Sequence, residues 1–155
     1  MITDAEAALR LLIAAGLGAL VGLEREWRDQ PAGLRTHILV STGACLFALI
    51  SAFGFESFIG RASTEAVRVD VTRVASQIVV GIGFIGGGTI LRHGTSVHGL
   101  TTAASMWVTA AVGTAVALGF TLGALTTTAI ALVSLALLRP FKRRFPGRDA
   151  GMPPG

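Results

Sequence analysis

The feature that most constrains the fold is an uncharged run of forty residues, from Gly99 to Leu138. As a single α-helix this run would be about 60 Å long, twice the hydrocarbon thickness of about 30 Å in a bilayer. It must therefore fold back on itself, and Gly119 and Gly123 mark the expected bend because glycine weakens a helix. We predict two membrane spans here, at about 99–118 and 120–138.

Three more apolar stretches are predicted to cross the membrane. Residues 38–55 and 74–91 carry no charge, and the shorter run 11–23 reaches spanning length if Arg10 snorkels outward and the helix begins near Ala5. The composition agrees, because 52% of the residues are hydrophobic and only 14% are charged, against about 25% in soluble domains. The predicted fold is all-α, a polytopic transmembrane helix bundle of about five spans within residues 1–138.

The distribution of basic residues predicts the orientation of this bundle. The loops after spans one and three, together with the tail 139–155, hold nine of the thirteen basic residues, and the other side holds Arg10, Arg61, Arg68 and Arg73. Because basic residues favour the cytoplasm, we expect the N-terminus outside and the C-terminus inside. The basic tail is expected to be disordered and to contact anionic lipid. Nucleic-acid binding is not expected, because no aromatic-interleaved basic domain is present.

Glycine and other small residues recur four apart in most of the predicted spans, a pattern typical of close helix packing in lipid. Span one has Gly18 and Gly22, span three has Gly83 and Gly87, and span four has Gly113. Packing accounts for most of the glycines. An alternative is open for the stretch "GIGFIGGGTI", where the glycines cover more than one helical face: a broken or kinked third span whose carbonyls line a cavity. The glycines of this stretch are Gly81, Gly83, Gly86, Gly87 and Gly88.

Charged residues gather at the predicted cytoplasmic ends of the helices. If the first helix continues, Glu24 with Arg28 and Arg25 with Asp29 form i,i+4 pairs on an exposed helix end. The alternative is a partly buried ionic network closing the inner mouth of the bundle, since Glu24 lies at the hydrocarbon boundary. The candidate network comprises Glu24, Arg25, Glu26, Arg35, Thr36 and His37.

Neither a metal site nor a catalytic site is expected. Three nearby arginines compete with the carboxylates that magnesium would need, and the spacings of His37, His93 and His98 match no zinc motif. These histidines are expected in loops near the headgroups. No nucleophile has an obvious base, and the G-x-G-x-x-G match at 81–86 lacks its βαβ context. We therefore expect no enzyme activity and no cofactor.

Polar residues also mark the outer end of span three. Asp70 or Thr72 is a plausible N-cap, and Arg73 and Gln77 follow one turn apart. Because Gln77 lies in an apolar run, we expect its side chain to hydrogen-bond to another helix. Thr102, in span four, is a candidate for helix packing or for lining a path.

Three segments in order resemble the MgtC/SapB family: "GLVGLEREWRDQPAGLRTHILVSTGACLFAL", "VASQIVVGIGFIGGGTI" and "GLTTAASMWVTAAVG". Ile85 and Gly87 depart from the family's usual "GIGFLGAGTI", and Asp70-Val71-Thr72-Arg73 departs from its Asp-Pro before the arginine. The positions that carry the family motif are Glu24, Arg25, Glu26, Gly33, Leu34, Arg35, Thr36, His37, Asp70, Arg73, Gln77, Gly81, Gly83, Gly86, Gly88, Gly99, Leu100 and Thr102.

The resemblance implies a multi-pass protein of the bacterial inner membrane linked to growth under magnesium limitation. Some members of the family are associated with restraint of the ATP synthase and with survival inside host cells. Longer members carry a soluble C-terminal domain, and we expect this chain to lack the functions that need it. The predicted function is regulation of another membrane complex through helix contacts, with a membrane-protein partner or a homo-oligomer in the bilayer. The alternative is a transporter or channel for magnesium or another cation, with residues 81–90 lining its path.

Overall fold

The computed structural model describes residues 2–55, 70 and 72–137, and the predictions for the tail 139–155, for Arg61 and Arg68, and for a Thr72 side-chain cap lie outside what it describes. In the described part, five helices and one short hairpin follow one another. They are α1 (Asp4–Glu26), α2 (Leu34–Phe53), α3 (Thr72–Gly88), β1 (Leu91–His93), β2 (Ser96–His98), α4 (Leu100–Ala117) and α5 (Thr121–Leu137).

Apolar helices dominate the described residues, which confirms a mostly helical membrane protein. The helices α1, α2 and α4 are each long and apolar enough to cross a membrane, while α3 and α5 are shorter apolar helices. The structure thus places a helix at each of the five predicted spans.

The bundle is centred on α1, α2 and α4, which share the best-buried side chains. One apolar cluster joins Leu17 of α1 to Cys45 of α2 and Val116 of α4, and Ala124 of α5 packs against it. A second cluster joins Ala44 of α2, Ile82 of α3 and Met106 of α4.

Close backbone approach between α1, α2 and α4 depends on glycine. A Cβ atom built on Gly18 would lie 2.6 Å from the carbonyl oxygen of His37 and 2.8 Å from the Cβ atom of Ser41. One built on Gly22 would lie 2.7 Å from the Cα atom of Leu34, and one on Gly113 would lie 2.9 Å from the carbonyl carbon of Ser41. Real Cβ atoms do not approach so closely, so these glycines allow the three helices to touch through their backbones.

The predicted bend in the forty-residue apolar run lies where the glycines indicate. Helix α4 ends at Ala117, and Gly119 adopts the left-handed conformation with a φ of 79°. The amide of Phe120 donates to the carbonyl of Ala115 over 2.8 Å, which is the hydrogen bond of a Schellman cap. Helix α5 begins directly afterwards at Thr121 and returns along the bundle.

The glycine-rich third span is one continuous helix, so the alternative of a broken span is wrong for residues 72–88. Only part of the packing expectation holds there. Gly86 is buried, with its added Cβ 3.5 Å from that of Ala103. A Cβ added to Gly81, Gly83, Gly87 or Gly88 meets nothing within 4 Å. We expected Gly83 and Gly87 to pack inside the bundle, but within the described part of the chain no helix packs against them, so this expectation is wrong.

The segment between α3 and α4, which we expected to be a loop, forms a small antiparallel hairpin. Leu91 pairs with His98 and His93 pairs with Ser96 around a two-residue turn. Gly94 in this turn has a φ of 60°, which suits the first position of a type II′ hairpin turn. All six strand residues are exposed.

Candidate functional site

The connection between α1 and α2 determines where the charged residues of the candidate network lie. Helix α1 ends at Glu26, and the chain then turns back because the amide of Gln30 donates to the carbonyl of Arg25 over 3.0 Å. Asp29 has a left-handed φ of 51° in this turn. The expected i,i+4 pair of Arg25 with Asp29 on a continuing helix is therefore wrong. The pair of Glu24 with Arg28 does form, with Oε1 and Nε 2.5 Å apart.

Arg25 points into the bundle, and its side chain is only 2% exposed. Its Nη2 donates to Oε1 of Gln30 over 2.8 Å and to Oγ1 of Thr102 over 3.3 Å. Its Nη1 lies 4.0 Å from Oε2 of Glu24, whose side chain is 11% exposed. The structure thus has a buried arginine near a largely buried carboxylate, as the partly buried network requires, and not two pairs on an exposed helix end.

Glu26 ties the turn to the next helix. Gly33, at the N-cap position of α2, has no side chain to cap the helix, and Oε2 of Glu26 instead accepts from the amide of Leu34 over 2.9 Å. A carboxylate at this position also interacts favourably with the positive end of the helix dipole. A Cβ added to Gly33 would lie 2.9 Å from Cδ of Glu26, so glycine leaves the room that the carboxylate occupies.

His37 is fully buried in the first turn of α2, so the expectation that it lies in a loop near the headgroups is wrong. Its Nδ1–H donates to the carbonyl of Gly33 over 2.9 Å, and its Nε2 lies 3.2 Å from Oγ of Ser105. The Ser105 hydroxyl also lies 2.8 Å from the carbonyl of Thr102. A serine has one hydroxyl hydrogen, so it serves one of these two acceptors at a time.

We call Arg25, His37, Thr102 and Ser105, with Glu24, Glu26 and Gln30 at their edge, the junction cluster. It links α1, α2 and α4 at one end of the bundle. Polar groups buried among apolar helices are stabilising only when they are paired, and removing one partner of a buried ion pair costs about 3–5 kcal/mol. The cluster therefore holds three helices in one arrangement.

The other predicted site residues lie apart from the junction cluster. Arg35 is exposed and Thr36 half-buried on α2. Asp70, Arg73 and Gln77 lie at the start of α3 and are exposed. Within residues 2–55, 70 and 72–137 the Gln77 side chain makes no hydrogen bond, so its expected bond to another helix is not seen there. The hairpin keeps His93 and His98 exposed, with ring centroids 6.4 Å apart.

Two members of the junction cluster, Gln30 and Ser105, were not predicted to belong to the charged network. Ser105 lies three residues after Thr102 and therefore on the same helical face, which is a signal that could have found it. Gln30 precedes Pro31 in an irregular turn, where no periodicity points to a partner. Among the described residues, no group of three or more histidine, cysteine, aspartate or glutamate side chains could hold a metal ion.

A second concave feature lies between α2 and α3, away from the junction cluster. It is an open groove of about 540 Å³ whose lining runs from Leu39 to Phe47 on α2 and from Arg73 to Ile85 on α3. Ala110 of α4 lies at its base. The groove is almost entirely apolar, and its charged lining residue is Arg73 at one end.

The described residues form a bundle of apolar helices, and three of these helices are long enough to cross a bilayer. The chain is therefore a helical membrane protein. The model of the MgtC family matches residues 11–144, and the chain belongs to that family.

Three relatives support this assignment. Protein MgtC of Salmonella typhimurium (strain LT2) is 45% identical over 136 residues, which are 88% of this chain and 54% of that protein. YhiD of Escherichia coli (strain K12), whose name provisionally describes a magnesium transporter, is 44% identical over 115 residues, 74% of this chain and 52% of the relative. An uncharacterised protein of Synechocystis is 42% identical over 135 residues, 87% of this chain and 53% of that protein. The chain thus spans about half the length of these relatives. No solved structure matches it.

Proposed function

We propose that this chain is a five-span protein of the bacterial inner membrane, with its N-terminus outside, that regulates another membrane complex by helix contact and catalyses no reaction. The magnesium link of the family and the positions of the arginines support this placement. By the resemblance described above, the ATP synthase is the complex we expect it to act on.

The observation that carries the proposal is the outward face of α3. A Cβ added to Gly83 or Gly87 meets nothing within 4 Å, and Val80, one turn before Gly83 on α3, is exposed. Alanine would stabilise a helix by up to about 1 kcal/mol at each of these glycines if nothing packed against them. In lipid, small residues four apart are the surface that lets a second helix approach closely. We infer that this face contacts a helix of the regulated complex.

The test measures the ATP synthase in inverted membrane vesicles from cells that make this chain or a variant. We expect the native chain to lower ATP-driven proton pumping, and Gly83→Leu to restore it because the added side chain keeps a partner helix away. Gly16→Leu is the matched control, since a Cβ at Gly16 also meets nothing within 4 Å but lies on α1. Equal inhibition by the native chain and both variants would refute contact through α3.

Cation transport is the second candidate, favoured by the name of the Escherichia coli relative. A cation path lined by residues 81–90 has less support than the proposed helix contact through α3. The reason is that α3 is a continuous helix, whose carbonyls bond within the helix. Purified chain in liposomes is expected to pass no magnesium. Saturable magnesium flux that Gly87→Leu abolishes would replace the regulatory proposal.

A further inference from the structure

The groove between α2 and α3 has the length of one lipid leaflet. Arg73 and Ile85, at its two ends on α3, are twelve residues apart, which is about 18 Å along a helix. Half of a hydrocarbon core of about 30 Å is about 15 Å. The groove therefore extends from the level of Arg73 to slightly beyond the depth that one acyl chain covers.

The groove suits a single acyl chain. Its lining is apolar over most of about 18 Å. A chain of methylene groups is much thinner than a helix, whose diameter with side chains is about 10–12 Å, and it fits a space of about 540 Å³ between the two helices. The small residues Gly43 and Gly81 on opposite walls keep the groove open, because a Cβ on either would meet nothing within 4 Å.

Among the described lining residues, the polar side chains are Arg73 and Gln77, which lie near one end of the groove. Arg73 is exposed, and among the described residues no carboxylate lies within ion-pair distance of its guanidinium. Gln77 lies one turn deeper on the same side of α3, and its amide has no hydrogen bond within the part of the chain described. An amide without a partner is unfavourable at the edge of the hydrocarbon. A guanidinium is the group best suited to a phosphate, which it binds with two parallel hydrogen bonds.

We propose that the groove binds a phospholipid of the surrounding leaflet, with one acyl chain between α2 and α3 and its phosphate on Arg73. Gln77 donates to the ester oxygens of the glycerol, which lie one step deeper than the phosphate. The lipid covers apolar side chains of both helices along the groove. This site is separate from the α3 face at Gly83 and Gly87 and does not depend on the proposed regulatory function.

The experiment uses a phospholipid that carries a diazirine near the end of one acyl chain. It is mixed into vesicles of phosphatidylethanolamine and phosphatidylglycerol that contain the full chain, and mass spectrometry locates the label after irradiation. We expect label within 39–47 and 81–85. Gly81→Leu fills the groove and lowers this label at least about fivefold, because a well-filled site rejects extra volume. Gly83→Leu, an equally open glycine of the same helix, leaves it unchanged.

The headgroup contact has its own pair of variants. Arg73→Gln should lower the groove label about tenfold, since it removes a charge-assisted hydrogen bond, whereas Arg73→Lys keeps the charge and stays within about threefold of native. Label spread evenly over all lipid-facing helices, or an equal loss in Gly81→Leu and Gly83→Leu, would overturn the site. If Arg73→Gln were labelled as strongly as the native chain, phosphate binding by Arg73 would be refuted.

A second copy of this chain is the competing occupant, and cysteine crosslinking distinguishes it from lipid. In a Cys45→Ala background, which removes the buried cysteine of α2, Gly81→Cys places a thiol in the groove. We expect the oxidised protein to stay monomeric in the vesicles. Efficient formation of a covalent dimer would show a second copy in the groove and contradict lipid binding there.

Discussion

The glycines of α1 and those of α3 follow the same small-residue spacing and have opposite surroundings. Gly18 and Gly22 are buried against the backbone of α2, where an added Cβ would lie 2.6 Å and 2.7 Å, respectively, from the nearest atom. Gly83 and Gly87 are exposed, and an added Cβ meets nothing within 4 Å. The spacing therefore identifies a surface suited to close approach but does not say whether the approaching helix belongs to the same chain.

The same contrast holds for the arginines. Arg25 of α1 is buried in the junction cluster, where it bonds to Gln30 and Thr102. Arg73 of α3 is exposed at the end of a groove. One region of the molecule thus directs its charged and polar side chains inward, and the other offers apolar, glycine and cationic surface to its surroundings. The junction links α1, α2 and α4, and α3 is open to partners.

The largest expected difference between the two regions comes from the arginines. Arg25→Gln should lower the free energy of unfolding by about 3–5 kcal/mol, because it removes a buried cation together with its hydrogen bonds to Gln30 and Thr102. Arg73→Gln should stay within about 0.5 kcal/mol of native, as is usual for exposed positions. Unfolding of both purified variants by sodium dodecyl sulfate in mixed micelles measures this. Similar losses of stability in the two variants would contradict the distinction between a buried, structural Arg25 and an exposed Arg73.

Adding a large side chain to each glycine face should give the next largest difference. Gly22→Leu is expected to cost about 1–3 kcal/mol or more, because the new side chain would overlap the backbone at Leu34. Gly87→Leu should not lower the stability of the isolated chain, since the space beside it is open. The melting temperatures in detergent test this, and a stable Gly22→Leu would mean that α1 and α2 are farther apart than the structure has them.

The smallest effect concerns the cap that Glu26 provides for α2. Glu26→Ala should destabilise the chain by about 1 kcal/mol, because the amide of Leu34 loses its acceptor. Ser76→Ala on α3 is the counterpart, since Ser76 is exposed and its hydroxyl donates to the carbonyl of Arg73 in its own helix. It should change stability by less than about 0.5 kcal/mol. If the Glu26→Ala chain were as stable as the native chain, the Glu26 carboxylate would not contribute to capping α2.

Much of the fold could be predicted from the sequence because bilayer thickness limits helix length. The forty uncharged residues had to fold back, and they do so at Gly119, while the apolar stretches predicted the other helices. The hairpin was missed because its strands are three residues long and exposed, with no buried face to produce a periodic pattern.

The junction cluster could be predicted only in part. The charges next to Leu23 indicated a network at the membrane boundary, but the choice between Asp29 and Gln30 as a partner of Arg25 depended on where α1 ends. The burial of His37 depends on the packing of α2 against its neighbours: its backbone carbonyl lies beside Gly18 of α1, and its ring bonds to Ser105 of α4. Such tertiary contacts have no local sequence signal. The open face of α3 could not be predicted for the same reason.

The most direct test of the contrast between the two glycine faces is one substitution made on each. Purified Gly18→Ala and Gly83→Ala chains are compared with the native chain by thermal unfolding in the same detergent. We predict opposite signs: Gly18→Ala melts at a lower temperature because its Cβ would lie 2.6 Å from the carbonyl oxygen of His37. Gly83→Ala melts at a higher temperature, since alanine favours a helix by up to about 1 kcal/mol. Destabilisation by both variants would contradict the account, because it would mean that α3 packs inside its own chain.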